Sequence, residues 1–306
     1  MHSSFKRFTR RALIAVLRAG VRAAPAATAA ATTPAAAQAP AQALARGAAN
    51  PYQRGPDPTE ASVTAPRGPF AIASKKVTAF SHPGIREGTI YYPTDTGQGT
   101  FGAISVSPGF VSPEATVAWY GPRLASQGFV VITLEISTGF DLPEARAAQL
   151  LSALDHLKQD ATVRNRIDPS RMAVMGWSMG GGGTLRAAQQ TPSLKAAVPL
   201  APWDLGVDFG DVRVPTFVMG ADNDFIAGTG AHAEPFYEQL RVEKAYMELE
   251  NAGHFTFTSD NTVIARQAIS WMKRWVDNDT RYDRFLCPPP PGNSSTIQEY
   301  RSTCPY

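Results

Sequence analysis

A serine between two glycines is the residue of this sequence best suited to nucleophilic chemistry. The pattern Gly-x-Ser-x-Gly occupies residues 176–180, after a short apolar run at 171–175 and before a helix-favouring run at 184–190. Between a strand and a helix, this pattern holds the central serine, Ser178, exposed on a sharp turn at the sheet edge. The N-terminus of the following helix favours developing negative charge. The alternative is a chance glycine-rich turn, and the two flanking elements favour the catalytic interpretation.

Serine is a weak nucleophile, so it needs a general base, and that base needs an acid to orient it. His254 is the one histidine that both follows Ser178 and lies on a loop directly after a predicted strand. The other histidines either precede the serine or lie on a predicted helix: His2, His82, His156 and His232. The acid should follow an earlier strand, where Asp222 and Asp224 both occur, and their spacing alone does not decide between them.

An acyl-transfer site also needs two N–H donors for the oxyanion. One should be the backbone of Met179, directly after the nucleophile, and the other should come from the loop that contains Gly109 and Phe110. The glycine run at 180–183 is interpreted as close helix packing, because it follows a serine turn and lacks the lysine of a phosphate-binding loop. No metal-ligand cluster is visible in the sequence, so we expect no cofactor and no metal.

The elements that would position these residues alternate between strand and helix. The predicted strands are two antiparallel ones at 71–80 and 88–92, followed by 101–106, 129–134, 171–175, 194–200, 214–219 and 245–249. The predicted helices are 115–127, 142–159, the helix after the serine turn, one that contains His232, and 263–275. Alternation over this length predicts a mostly parallel sheet with helices on both faces.

The first 45 residues differ in composition from the rest. A basic segment precedes a short apolar one, and an Ala-, Thr-, Pro- and Gln-rich tract follows. We interpret residues 1–45 as a signal peptide and an Ala-rich spacer, and residues 46–306 as a single catalytic domain. The predicted location is outside a bacterial cell, with the periplasm as an alternative. A mitochondrial-type presequence and an unstructured tail are the competing interpretations of the leader.

The overall charge is misleading until this leader is set aside. The chain has 29 basic and 26 acidic residues, and six of the basic ones lie in residues 1–45, which contain no acid. Without those six, 23 basic residues face 26 acidic ones, so nothing indicates a nucleic-acid partner. The two cysteines, Cys287 and Cys304, form an even pair near the C-terminus, which in an exported protein indicates a disulfide. It would tie down a proline-rich tail without helical or strand pattern.

Several blocks of the sequence resemble bacterial cutinases and poly(ethylene terephthalate) hydrolases. They are residues 50–56 (NPYQRGP), 120–126 (YGPRLAS), 176–183 (GWSMGGGG), 201–204 (APWD) and 275–282 (WVDNDTRY). Together they span roughly residues 50–304, nearly the whole expected mature chain. The resemblance implies an α/β-hydrolase fold, that is, an α/β domain with a mostly parallel central sheet flanked by helices and no lid domain.

The resemblance also implies roles for individual residues. It aligns Asp224 with the acid of the triad, so the expected catalytic residues are Ser178, Asp224 and His254. It places Phe110 and Met179 at the oxyanion hole, and it makes Cys287–Cys304 the family's C-terminal disulfide. Along the substrate cleft it implies four residues, namely Trp177, Trp203, Ile226 and Phe255.

The chain departs from the family pattern at several of these positions. Phe110 stands where the family often has Tyr, which keeps the backbone donor and loses a hydroxyl. Trp177 matches the mesophilic polyester-degrading branch, whereas Phe255 is the residue found in cutinases. Ala221 and Thr256 occupy the positions of that branch's second disulfide, so only one disulfide is expected.

We therefore predict a secreted serine carboxylic ester hydrolase that cleaves polyesters through an acyl-enzyme on Ser178. The expected substrates are cutin-like polyesters and aromatic ones such as poly(ethylene terephthalate). One alternative is a small-ester carboxylesterase or lipase without polymer activity, and another is a non-catalytic binding protein with the same fold. The expected partner is a polymeric or small ester, with no nucleic acid and no membrane, and the protein is expected to be a monomer.

Overall fold

The computed structural model describes residues 50–290, 292 and 294–306. Its central element is a single mixed sheet. The predicted leader therefore lies outside the described residues. The strands within them are β1 (Ile72–Val77), β2 (Ile85–Pro93), β3 (Phe101–Ser107), β4 (Phe129–Ile136), β5 (Ile167–Trp177), β6 (Ala196–Leu200), β7 (Thr216–Ala221), β8 (Lys244–Leu249) and β9 (Ile297–Ser302).

The spatial order of the strands is β1-β2-β4-β3-β5-β6-β7-β8-β9. Strands β3 to β8 run parallel to one another, while β1, β2 and β9 add antiparallel pairs at the two edges. The predicted mostly parallel α/β sheet is thereby confirmed. Strand β5, which leads into Ser178, lies in the middle of the sheet between β3 and β6.

Helices cover both faces of this sheet. They are α1 (Glu60–Thr64), α2 (Tyr120–Ala125), α3 (Pro143–Gln159), α4 (Met179–Gln190), α5 (Ala233–Gln239) and α6 (Thr262–Val276). Apolar residues of α2 and α6 pack into the core on one face, and those of α3, α4 and α5 pack into the core on the other. None of the helices described by the structure is long and apolar enough to cross a membrane.

The burial of the strands follows from their composition. The run 129–134 is apolar except for Thr133 and rich in β-branched residues, as a parallel strand covered on both faces requires, and all of its residues are buried. Helix α6 begins where Asn261 caps it, its side-chain oxygen accepting hydrogen bonds from the N–H groups of Val263 and Ile264. The apolar side of α6 packs against the central strands.

The helix predicted at 115–127 is interrupted. The structure has a 3₁₀ turn at Glu114–Thr116 and a short helix, α2, that begins at Tyr120. Pro122 accounts for the break, because it lacks an N–H and its ring would clash with the carbonyl four residues earlier in a continuous helix. As the third residue of α2, Pro122 occupies a position whose N–H needs no partner within the helix.

The C-terminal tail is more ordered than its sequence indicated. Strand β9 pairs antiparallel with β8, and only Ile297 among its residues is buried. The predicted disulfide is confirmed: Cys287 and Cys304 are bonded, with 17 residues of sequence separation. It joins the segment before β9 to the segment after it, so the disulfide secures an edge strand of the sheet.

Candidate active site

The carboxyl edge of the parallel sheet brings the predicted site residues together. Strand β5 ends directly before Ser178, β7 before the loop with Asp222 and Asp224, and β8 before the loop with His254. The loop with Phe110 follows β3. Carboxyl ends of parallel strands meet at one sheet edge, where connecting loops gather ligand-binding groups.

Ser178 occupies a sharp turn with an unfavourable backbone. Its φ of 58° and ψ of −118° lie outside the regions that L-residues adopt easily. Its N–H donates to the carbonyl of Leu200, 2.9 Å away. A Cβ on Gly176 would lie 2.3 Å from the carbonyl oxygen of Gly180, so the turn closes only with glycine there. The strained conformation is maintained by its surroundings, as is common for functional groups.

The glycine run at the start of α4 packs against backbone on several sides. A Cβ on Gly180 would lie 2.4 Å from the Ser107 carbonyl oxygen, and one on Gly182 would lie 2.2 Å from the Trp203 carbonyl oxygen. On Gly183 it would lie 2.4 Å from the Cβ of Arg146 in α3. The interpretation of this run as close helix packing thus agrees with the structure.

Ser178, His254 and Asp224 form one line of hydrogen bonds. The Nε2 of His254 lies 2.9 Å from the Oγ of Ser178, and its Nδ1 lies 2.7 Å from the Oδ2 of Asp224. All three side chains are buried or nearly so. With the proton on Nδ1, the ring donates to the carboxylate and presents a free lone pair to the serine hydroxyl, which is the arrangement of a general base.

The two aspartates after β7 have different partners. The Oδ1 of Asp224 accepts hydrogen bonds from the N–H groups of Ile226 and Ala227, which leaves Oδ2 facing His254. Asp222 instead accepts from the N–H groups of Asn251 and Ala252. Asp222 therefore holds the turn that precedes His254, and Asp224 contacts the imidazole itself.

Asp224 is kept ionised by these contacts. Burial alone would raise the pKa of its carboxyl, but the hydrogen bonds from His254 and from the Ala227 N–H outweigh burial and hold that pKa below its usual value. The carboxylate, hydrogen-bonded to Nδ1, also orients the ring of His254 so that its Nε2 faces the serine hydroxyl.

Hydrogen bonds from aromatic side chains hold the loop of His254 in place. His254 begins a 3₁₀ turn at His254–Thr258, and its carbonyl accepts a hydrogen bond from the Nε1 of Trp177 at 2.9 Å. The Phe257 carbonyl accepts from the Nε1 of Trp119 and the Oη of Tyr120. These donors fix the position of the imidazole relative to Ser178.

Trp177 departs from the expectation that it lines the cleft. Its side chain is only 2% exposed, and its ring lies behind the His254 loop, 5.1 Å from the imidazole. The motif places the residue at the sheet edge, but as the last residue of β5 it points inward, where its N–H finds the His254 carbonyl. Trp177 is therefore a supporting residue and presents almost no surface to a substrate.

The expected oxyanion donors lie on adjacent backbone segments. Met179 is the first residue of α4, so its N–H has no partner within the helix. A Cβ on Gly109 would lie 3.0 Å from the Cβ of Ser178, so the peptide between Gly109 and Phe110 lies directly beside the nucleophile.

An apolar surface surrounds this centre. Phe110, Ile226 and Phe255 are all exposed, with Phe255 63% exposed, and Trp203 is half-buried. Between the loops 223–226 and 253–256 lies an open cavity of about 360 Å³. Phe225 on its rim is 95% exposed, which sequence reasoning missed; an apolar residue between Asp224 and Ile226 on a loop was the available signal.

Other parts of the site escaped sequence analysis as well. Phe140 lies on a loop after β4 and contacts the ring of Phe110 edge-on, with 5.6 Å between centroids. His232 directly precedes α5, and its ring centroid lies 6.0 Å from that of Trp203. Among the residues that the structure describes, no group of three or more His, Cys, Asp or Glu side chains could hold a metal ion.

Comparison with known proteins agrees with this geometry. A sequence profile of the family described as PET hydrolase-like matches residues 46–305. A bis(hydroxyethyl) terephthalate hydrolase of Streptomyces coelicolor is 53% identical over 263 residues, 85% of this chain and 84% of that protein. A cutinase of Thermobifida fusca is 52% identical over 85% of this chain and 87% of its own length. A cutinase of Thermobifida cellulosilytica is 52% identical over 84% of this chain and its entire length. The chain therefore belongs to the PET hydrolase-like family of ester hydrolases.

Proposed function

We propose that this protein is a secreted serine esterase that hydrolyses polyesters, including aromatic ones, through an acyl-enzyme on Ser178. The observation that carries the proposal is the continuous hydrogen-bonded line from Ser178 through His254 to Asp224 beside an open apolar cleft. The relatives named cutinase and bis(hydroxyethyl) terephthalate hydrolase support an ester as substrate.

In the proposed mechanism, Ser178 Oγ attacks the ester carbonyl while His254 Nε2 takes its proton. The carbonyl π electrons move onto oxygen, and the N–H groups of Met179 and Phe110 bind the resulting oxyanion. When the tetrahedral intermediate collapses, His254 gives its proton to the leaving alkoxide, and an alcohol departs. Water then attacks the acyl-enzyme with His254 again as base, which releases the acid and restores Ser178.

The cleft supports a bulky substrate. The part of the chain that the structure describes contains no helical insertion over Ser178. Ile226 and Phe255 are exposed to solvent, and Trp203 is half-buried. Aromatic side chains hold planar apolar groups through offset or edge-to-face contacts. An acyl group of the terephthalate type fits this chemistry.

A second candidate is hydrolysis of a small terephthalate ester without attack on polymer. The relative named bis(hydroxyethyl) terephthalate hydrolase favours it. The remaining parts of the proposal are a single catalytic domain at 46–306, export directed by residues 1–45, and a monomer without a nucleic-acid or membrane partner. The profile match beginning at residue 46 supports the domain boundary.

The test compares three substrates: amorphous polyester film, bis(hydroxyethyl) terephthalate and a para-nitrophenyl ester. Ser178→Ala is the matched control, because it removes one hydroxyl and leaves the fold. We expect the wild type to release acid from all three, and we expect the variant to lose on the order of a million-fold in turnover. Activity on the small esters alone would favour the second candidate, and substantial activity of folded Ser178→Ala would refute the serine mechanism.

A further inference from the structure

A buried arginine lies next to the proposed oxyanion hole without a carboxylate partner. Arg146, on the first turns of α3, is 0% exposed. Its Nη2 donates to the carbonyls of Gly109 (3.1 Å) and Gly139 (3.4 Å). Within the described residues its Nε and Nη1 have no hydrogen-bond partner and it forms no ion pair. Burying a charge without an ion-pair partner is costly, so its hydrogen bonds to the two loop carbonyls must offset a desolvation cost.

The Gly109 carbonyl belongs to the peptide whose N–H is that of Phe110. A trans peptide is planar, and its C=O and N–H point in opposite directions. When Arg146 binds the oxygen, it therefore fixes the direction of the Phe110 N–H on the other side of the peptide. A positively charged donor bound to the carbonyl oxygen also polarises the peptide, which strengthens the hydrogen bond that the peptide N–H can donate.

Arg146 also holds the neighbouring loop. The Gly139 carbonyl that it contacts accepts a second hydrogen bond, from the N–H of Val111 at 2.9 Å. Val111 has a φ of 47°, which is strained for a β-branched residue. The guanidinium thus joins the loop after β3, which contains Phe110, to the loop after β4, and it stabilises the backbone at Val111.

The charge of this arginine survives burial. Burial lowers the pKa of the Arg146 guanidinium to about 10, against the opposing influence of Asp141 and Glu135, so it stays protonated at neutral pH. The close approach of α3 to the site depends on Gly183, where any Cβ would lie 2.4 Å from the Cβ of Arg146.

We propose that Arg146 is a positioning residue for catalysis, which acts through the Gly109–Phe110 peptide to orient and polarise one donor of the oxyanion hole. This inference rests on the proposed serine-esterase function. Negative charge develops on the carbonyl oxygen in the transition state that leads to the tetrahedral intermediate and is absent from the bound ester, so a weakened donor lowers kcat and leaves KM nearly unchanged.

The test uses Arg146→Met, which keeps an apolar stem of similar length, and Arg146→Lys, which keeps a positive donor. Arg123→Met is the matched control: Arg123 is also buried, but it contacts Thr64 and Asp260 away from the nucleophile. For each variant we would measure kcat and KM on para-nitrophenyl butyrate, inhibition by a boronic acid that forms a tetrahedral adduct with the serine, and the melting temperature.

We expect Arg146→Met to lose about 10- to 100-fold in kcat, less than the loss of a whole oxyanion donor, with KM within about twofold. Boronic acid affinity should fall by a similar factor, and Arg146→Lys should lie between the Met variant and the wild type. Arg123→Met should lower the melting temperature and keep kcat at room temperature. If Arg146→Met does not fold, Arg146→Lys alone carries the test, with lower kcat and weaker boronic acid binding at unchanged KM.

Three results would overturn the role of Arg146. They are an unchanged kcat, a kcat loss without weaker boronic acid binding, and a Lys variant as impaired as the Met variant. Wild type and Ser178→Ala are measured alongside, so that the two proposals fail separately. An inactive wild type would overturn the serine-esterase function itself, whereas an active wild type with an unimpaired Arg146→Met would overturn only this inference.

Discussion

Replacing Asp224 with Asn is the sharpest test of the triad, because the structure fixes how the new amide must point. The Oδ1 of Asp224 accepts hydrogen bonds from the N–H groups of Ile226 (2.8 Å) and Ala227 (2.7 Å). An amide NH₂ in that place would face two donors and forfeit both bonds, at about 1 kcal/mol each. The amide oxygen therefore stays there, and the NH₂ group faces His254.

This orientation imposes the wrong tautomer on the imidazole. The NH₂ group donates to His254 Nδ1, so the ring proton moves to Nε2, which lies 2.9 Å from Ser178 Oγ. A protonated Nε2 cannot accept the hydroxyl proton. The same change in a serine protease triad lowers kcat about 10⁴-fold, which corresponds to about 5.4 kcal/mol of transition-state stabilisation at about 1.36 kcal/mol per factor of ten.

Asp222→Asn is the matched control two residues away. Asp222 accepts from the N–H groups of Asn251 and Ala252 and does not contact the ring, so its substitution loses one such bond and about 1 kcal/mol of stability. We expect less than about a tenfold loss in kcat/KM on para-nitrophenyl butyrate, with a lower melting temperature. If Asp222→Asn is the more damaging change, or if Asp224→Asn keeps more than a tenth of wild-type kcat/KM, the assignment of the acid is wrong.

Three further predictions concern the disulfide, the cleft and acid stability. Reducing Cys287–Cys304, which closes a separation of 17 residues, should destabilise by about 3 kcal/mol and lower the melting temperature while kcat at room temperature stays unchanged; a melting temperature insensitive to reduction would contradict this. Trp203→Ala should weaken hydrolysis of aromatic polyester far more than that of a short acetate ester, because it removes an aromatic contact for the acyl group. The backbone N–H of residue 203, which donates to the Ser178 carbonyl, is kept, so the nucleophile itself should be unaffected. Equal losses on both substrates would show that the ring is structural. Burial lowers the pKa of His156, with Asp160 opposing the shift and Lys75 reinforcing it. The imidazole therefore takes up a proton at a higher pH in the unfolded chain than in the folded protein. As a result, the free energy of unfolding falls as the pH drops below about 6.5. His156→Gln should therefore lose less melting temperature than wild type between about pH 8 and about pH 5, and parallel losses would exclude His156 as a contributor.

The parts of the fold that follow from local composition were predictable. The β-branched run 129–134 and the Gly-x-Ser-x-Gly pattern each carry a strong local signal, and both elements occur as expected. Strand β9 carries none: only Ile297 is buried, and the rest of the strand is held by pairing with β8 and by the disulfide. Edge strands of this kind depend on the partner strand, which the sequence does not display.

The candidate site shows the same division. Chain order indicates Ser178 and His254, but Asp222 and Asp224 follow the same strand, so chain order and spacing do not separate them. The family resemblance favours Asp224, and in the structure it is the carboxylate of Asp224 that contacts His254. Trp177 is next to the nucleophile in sequence and nevertheless points into the core. Arg146 does lie in the buried stripe of α3, four residues before Leu150, which is the signal that could have drawn attention to it.

The four glycines that open α4 also bear on how the protein acquires activity. Each glycine within a helix costs about 1 kcal/mol relative to alanine, so this segment has little tendency to form a helix by itself. In the folded protein the Ser107 carbonyl, the Trp203 carbonyl and Arg146 pack closely around it. The geometry of the nucleophile therefore depends on tertiary packing around this segment. During refolding, esterase activity should return with the last docking of α3 and the 201–203 loop, later than the secondary structure, and it serves as a direct readout of complete assembly.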